Sequence, residues 1–153
     1  MRLTANFTLA EFEKSQAATR LGINNSVPDE KVIRLQALAE NVLQPVREHF
    51  GPVIITSGYR SPELNEAIGG SSRSQHSKAE AADFEVIGVS NKEVAHWIID
   101  NCNFDQLILE FYTPGDPNSG WIHCSFNLEK CRKQVLTASR IDGKTVYATG
   151  IED

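Results

Sequence analysis

The segments QLILEF (residues 106–111) and GWIHCSF (120–126), joined by the turn-rich YTPGDPNS (112–119), decide how this chain folds. Each alternates with the period of a strand. In the first, Leu107, Leu109 and Phe111 face one way and Ile108 and Glu110 the other. In the second, Ile122, Cys124 and Phe126 share a face, opposite Trp121, His123 and Ser125. Two strands joined through so short a turn pair antiparallel. Glu110 stands out within its strand. An acid amid so many apolar residues is costly unless it is paired, solvated in a cleft or shifted in pKa.

Upstream, SRSQHSKAEAADFEV (72–86) runs from a polar loop carrying His76 into a strand, Ala81 to Val86. There Ala82, Phe84 and Val86 share one face, and Ala81, Asp83 and Glu85 the other. PVIITS (52–57) is a β-branched strand, followed by a turn, a short helix and a glycine stop in GYRSPELNEAIGG. Thr8 with Glu11, and Ser90 with Glu93, are capping boxes that open helices. Pro28-Asp29 starts the longest helix, with Val32, Leu35, Ala39, Val42 and Val46 on one apolar face. Pro45 should kink or break it near its end. KQVLTAS and KTVYA flank Asp142-Gly143 as a terminal hairpin, about 133–148. The expected class is α+β, one domain over 1–153 with a small antiparallel sheet flanked by helices.

The chain has 153 residues, 41% apolar and 23% charged, an ordinary globular composition. A net charge of −5 does not suit a nucleic-acid or anionic-membrane surface. No apolar run is long enough to span a bilayer, and the opening Met-Arg-Leu-Thr starts no signal peptide. The expectation is a monomer made in the cytoplasm, without membrane insertion. Cys102, Cys124 and Cys131 form no C-x-x-C pair and read as free thiols.

Asp83, Glu110 and His123 therefore each lie on a strand, and each can point to the same polar side of one sheet. His76 and Asp83 are either surface residues or two ligands of one metal. Two histidines and a carboxylate around Zn²⁺ leave a fourth position for water, and a second carboxylate can then take a proton from that water. His49 and His96 read as ordinary helical residues, Glu85 as a solvated strand residue and Glu80 as a loop charge.

SQHSKAEAAD (74–83) resembles the S-x-H-(x)6-D motif of the zinc D-alanyl-D-alanine carboxypeptidases and of the phage L-alanyl-D-glutamate endopeptidases. WIH (121–123) is similar to their second histidine motif, and SGYRSPELN (57–65) to their arginine-bearing segment. The resemblance implies the fold shared with the hedgehog signalling domain and one Zn²⁺ per chain held by His76, Asp83 and His123. It implies Glu110 as catalytic base and Arg60 as the clamp for a substrate carboxylate. Ser74 and Gln75 would support the loop or touch substrate. Many relatives have glycine where this chain has Ala79, so a positive φ there would strain the alanine.

The implied function is hydrolysis of peptidoglycan stem peptides, first as a phage-type L-alanyl-D-glutamate endopeptidase, with a D-alanyl-D-alanine carboxypeptidase as the alternative. The implied setting is the cell wall, reached through another factor or as part of a virion. A zinc-containing wall-binding or virion protein without activity would need the same three ligands but no Glu110. A serine hydrolase built on Ser57 lacks the G-x-S-x-G elbow.

Overall fold

The computed structural model describes residues 1–152. The chain opens with a small antiparallel ribbon, β1 (Arg2–Thr4) and β2 (Phe7–Thr8), leading into α1 (Leu9–Glu13) and α2 (Gln16–Leu21). Glu11 accepts the Thr8 N–H at 2.9 Å, and the expected capping box forms. A single 3-10 turn at Asp29–Lys31 then starts the long helix. It runs as α3 (Val32–Leu38), a π-helical segment Ala39–Leu43 and α4 (Gln44–Phe50). Pro45 does not break this helix. The Gln44 N–H reaches back to the Ala39 carbonyl, so the turn before the proline is widened and the helix continues to Phe50.

β3 (Val53–Ser57), α5 (Pro62–Ala67), β4 (Ala81–Val86), α6 (Asn91–Asn101), β5 (Gln106–Glu110), β6 (Trp121–Ser125), β7 (Gln134–Ile141) and β8 (Lys144–Thr149) complete the fold. The last six strands form one sheet in the order β3-β4-β6-β5-β7-β8. Its core-facing side carries Phe84, Leu107, Ile122 and Cys124, each fully buried. They pack with Leu35, Leu38, Val42 and Val46 of the long helix and Ile98 of α6. Fully burying such a side chain stabilises by about 1.5–3 kcal/mol, so this one layer of helices fixes the sheet.

The expectation of an antiparallel sheet needs correction. β7 pairs parallel with β5, Gln106 opposite Gln134 through Glu110 opposite Ala138, and the sheet is mixed. After β6 the chain crosses back through residues 126–133 to run alongside β5. The terminal hairpin forms as read, with Asp142 and Gly143 both at positive φ in its turn.

A second correction concerns Phe111, expected beside Leu107 and Leu109. It has φ 56°, which ends β5 and turns its ring onto Trp121, 5.3 Å between centroids. Gly120, at φ 69°, begins the return strand so close to the Glu110 carbonyl that any side chain would collide with it. Gly120→Ala combines that collision with an unfavourable backbone and should cost about 2 kcal/mol or more. Thermal unfolding checks this, with an expected fall in Tm of roughly 4 °C or more for a chain of this size. An unchanged Tm would show that the turn rearranges freely.

Candidate metal centre

Antiparallel pairing sets Asp83 of β4 directly opposite His123 of β6, on the sheet face away from the helices. His123 Nδ1 lies 3.0 Å from Asp83 Oδ1. His76 arrives from a different element, the turn-rich loop between α5 and β4, and its Nε2 lies 3.3 Å from the same Asp83 oxygen.

The loop is held at several points. Ser74 Oγ accepts the His76 N–H at 3.2 Å, and the His76 carbonyl accepts from Arg60 N at 3.2 Å and Ala79 N at 3.3 Å. His76 Nδ1 lies 2.7 Å from the Gly58 carbonyl. A carbonyl only accepts, so the proton sits on Nδ1 and the Nε2 lone pair faces Asp83. Gly58 is itself constrained. A Cβ there would come within 2.6 Å of the Phe12 backbone, so only glycine lets this carbonyl reach the imidazole.

A bare imidazole nitrogen facing a carboxylate oxygen at 3.3 Å is a repulsive pairing unless a cation lies between them. One ligand atom each from His76, Asp83 and His123 lies within 4.8 Å of the other two, a grouping that can hold a metal ion. Two imidazoles and a carboxylate are a ligand set suited to zinc. Burial raises the affinity of Asp83 for a proton. The hydrogen bond from His123 and the two adjacent imidazoles outweigh that and keep its carboxyl well below the usual range, ready to ligate.

Glu110 stands one strand further along the same face, opposite Trp121. Its Oε2 accepts the Trp121 indole N–H at 2.7 Å. Burial and then the charge of Asp83 raise its pKa above the ordinary glutamate value. His123, the Trp121 bond and Arg60 oppose the shift. Arg60 lies past the end of β3, lining the same cleft of about 910 Å³. Its guanidinium pKa is lowered by burial and supported by Asp83 and Glu110, and its Nε is buried with no hydrogen-bond partner.

Ser74 and Gln75 line the cleft and also brace it. Gln75 Nε2 donates to Asp105 Oδ2 at 2.8 Å, and Asp105 in turn accepts from Arg132 Nε at 2.9 Å and Nη2 at 3.0 Å. Burial pushes the Asp105 carboxyl up, but the hydrogen bonds from Arg132 and Gln75 hold it below its usual value. Asp105, Arg132 and Gly58 carry no local sequence signal, since each matters only through a partner distant in the chain. Glu80, expected as a loop charge, is buried in the cleft wall. Its carboxyl is pushed up by burial and accepts from Asn127 Nδ2 at 3.2 Å. His49 lies elsewhere, stacked on Trp97 at 4.6 Å. The three cysteines are unpaired.

Zinc added to the metal-free protein should raise Tm, by the equivalent of about 2.7 kcal/mol at a hundredfold excess over Kd. His76→Ala or His123→Ala should abolish most of that gain, read by a zinc titration monitored through thermal unfolding. A His123→Ala protein still stabilised in full would remove that residue from the ligand set.

Among protein-family models, that described as Peptidase M15 matches residues 5–125, from the ribbon before α1 to the end of β6. No curated protein matches the chain. The matched span contains Arg60, His76, Asp83, Glu110 and His123, and the zinc-suited cluster agrees with a family of zinc enzymes. With the match covering most of its length, the chain belongs to the Peptidase M15 family.

Proposed function

We propose that the chain is a zinc peptidase of peptidoglycan stem peptides, cutting the bond between L-alanine and D-glutamate. The observation that carries this reading is the placement of Glu110 and Arg60 in one cleft with the His76, Asp83 and His123 cluster. Zinc held there supplies a Lewis acid that polarises a carbonyl and acidifies water. Trp121 occupies Oε2 of Glu110, which leaves Oε1 to take a proton from the attacking water and pass it to the leaving amine. The raised pKa of Glu110 suits both halves of that transfer. Arg60, half-buried and with an unpartnered Nε, is suited to fork onto a substrate carboxylate.

The choice of bond is supported by what surrounds Arg60. The residue also lines a second cavity of about 530 Å³, bordered by Ser57, Tyr59 and Ile68, so its guanidinium does not close the end of the cleft. A carboxypeptidase needs only a terminal carboxylate at that point. An endopeptidase acting before D-glutamate needs room for the chain to continue through the side-chain carboxyl while the α-carboxylate is held. Its action is at the bacterial cell wall, and a phage lytic enzyme or virion component is the setting we favour.

Mass spectrometry of a peptidoglycan digest reads the bond directly. New N-terminal D-glutamate is the expected product, whereas release of free D-alanine would make the protein a carboxypeptidase. Glu110→Gln should keep its zinc and lose about 10²- to 10⁴-fold in kcat, the range for a positioned general base. Near-normal turnover would assign the glutamate a structural role. Amidating the α-carboxylate of a synthetic stem peptide should cost the wild type about 1.5–3 kcal/mol in kcat/KM. Arg60→Ala should hardly distinguish the two peptides, and equal penalties in both enzymes would show that Arg60 does not read the carboxylate.

A further inference from the structure

The sheet does not stop where the family match stops. β7 and β8 lie beyond residue 125, yet they extend the same sheet as the metal cluster. The hairpin is firmly joined. Gln134 N donates to the Asp105 carbonyl at 2.9 Å, and Phe111 N to the Ala138 carbonyl at 2.9 Å. Gln106 Nε2 donates to Gln134 Oε1 at 2.7 Å, and Thr137 Oγ1 to the Gly150 carbonyl at 2.6 Å.

Register then determines what the hairpin adds. Trp121 is opposite Glu110, Glu110 opposite Ala138, and Ala138 opposite Tyr147. These four side chains make one row across the strands on the cleft face. Ala138 is buried, so the row dips between Glu110 and the ring of Tyr147. Tyr147 is 56% exposed and lines the same cleft as the metal cluster. An aromatic ring this exposed, on a well-hydrogen-bonded strand and in a catalytic cleft, has contact surface with no occupant from the chain itself.

The geometry points to Tyr147 as a substrate-binding residue that stacks on the sugar ring attached to the amino side of the stem peptide. This rests on the proposed L-alanyl–D-glutamate specificity. With the glutamate carboxylate at Arg60, past the end of β3 and on the β3 side of the cleft, the amino side of the substrate runs the other way, over β5, β7 and β8. Tyr147 lies two strand spacings past Glu110, about 10 Å. From the scissile carbonyl, one alanine and one lactyl unit extend about 7 Å before the sugar ring begins. With the carbonyl beside the Glu110 carboxylate, the ring begins about 3 Å short of Tyr147, and its own width carries it over that side chain. The polarised C–H face of a saccharide is attracted to the negative face of an aromatic ring, while its hydroxyls remain in water.

The test compares two substrates, N-acetylmuramyl-L-alanyl-D-glutamyl peptide and the same peptide with an acetyl group in place of the muramyl sugar. The wild type should prefer the muramyl form by about 3- to 10-fold in kcat/KM, mainly through KM. Tyr147→Ala should lose that preference and Tyr147→Phe should keep it, because the ring makes the contact. Val146→Ala, on the opposite face of β8, controls for disturbance of the hairpin and should also keep it. A preference in Tyr147→Ala equal to that of the wild type would overturn the assignment while leaving the proposed function standing. A wild type that cleaves neither substrate would instead refute the bond specificity, and this inference with it.

Discussion

The hydrogen bond between His76 Nδ1 and the Gly58 carbonyl, 2.7 Å long, is the contact on which the candidate metal centre depends. Asp83 and His123 need no such help, because strand pairing places them opposite each other. His76 is delivered by a loop made almost entirely of turns, and without a fixed acceptor its ring would be free to rotate. The Gly58 carbonyl fixes both the ring plane and the tautomer, so that Nε2 keeps its lone pair and can serve as a ligand atom. The constraint then passes inward. Gly58 is packed against Phe12, and the next residue, Tyr59, donates its N–H to the Phe12 carbonyl at 2.7 Å. A helix near the N-terminus thereby sets the position of an imidazole some sixty residues later.

The opposite wall of the cleft is organised by charge. Asp105 is buried, and its carboxylate takes two hydrogen bonds from the Arg132 guanidinium and one from Gln75. Removing one partner of such a set leaves an uncompensated buried charge, which costs far more than the intact pair contributes. The set also has a structural consequence. Gln75 adjoins His76, and Arg132 begins the approach to β7, so one aspartate ties the His76 loop to the hairpin that carries Tyr147. The two sides of the cleft are not independent: the loop that delivers a ligand and the strand pair that extends the floor share a single anchor.

These dependencies explain what was legible in the sequence. Strand alternation alone put Asp83, Glu110 and His123 on one face, and the structure has them there, because a period of two leaves a side chain only two choices. The motif resemblance, rather than any periodicity, brought His76 to them, since a loop has no period to read. The parallel course of β7 was not legible. It depends on where residues 126–133 cross, and the hydrophobic pattern of a strand is the same in either direction. Phe111 departs from the alternating pattern for a similar reason. The alternation ends one residue before it, and the positive φ that ends β5 belongs to a residue type that rarely adopts it. Gly58, Asp105 and Arg132 were silent because their roles exist only in contacts across the fold.

Ala79 shows how a local rule can be broken without harm to the site. Its φ of 60° is the left-handed conformation in which a Cβ costs roughly 1–2 kcal/mol, and the strain expected from the sequence is therefore present. The alanine is nevertheless fully buried, and its methyl group is part of the main apolar core. A buried methyl contributes about 0.8 kcal/mol, and an alanine loses less backbone entropy on folding than a glycine by about 0.5–1 kcal/mol. The two sides nearly balance. Glycine would relieve the dihedral but open a small void beneath the loop that carries His76, and would make that loop more mobile before folding. What looks in the sequence like a defect beside a candidate metal ligand is, in the packed structure, an exchange of backbone strain for core contact. The His76 loop keeps its shape because its carbonyls and its one buried methyl are anchored in the protein interior.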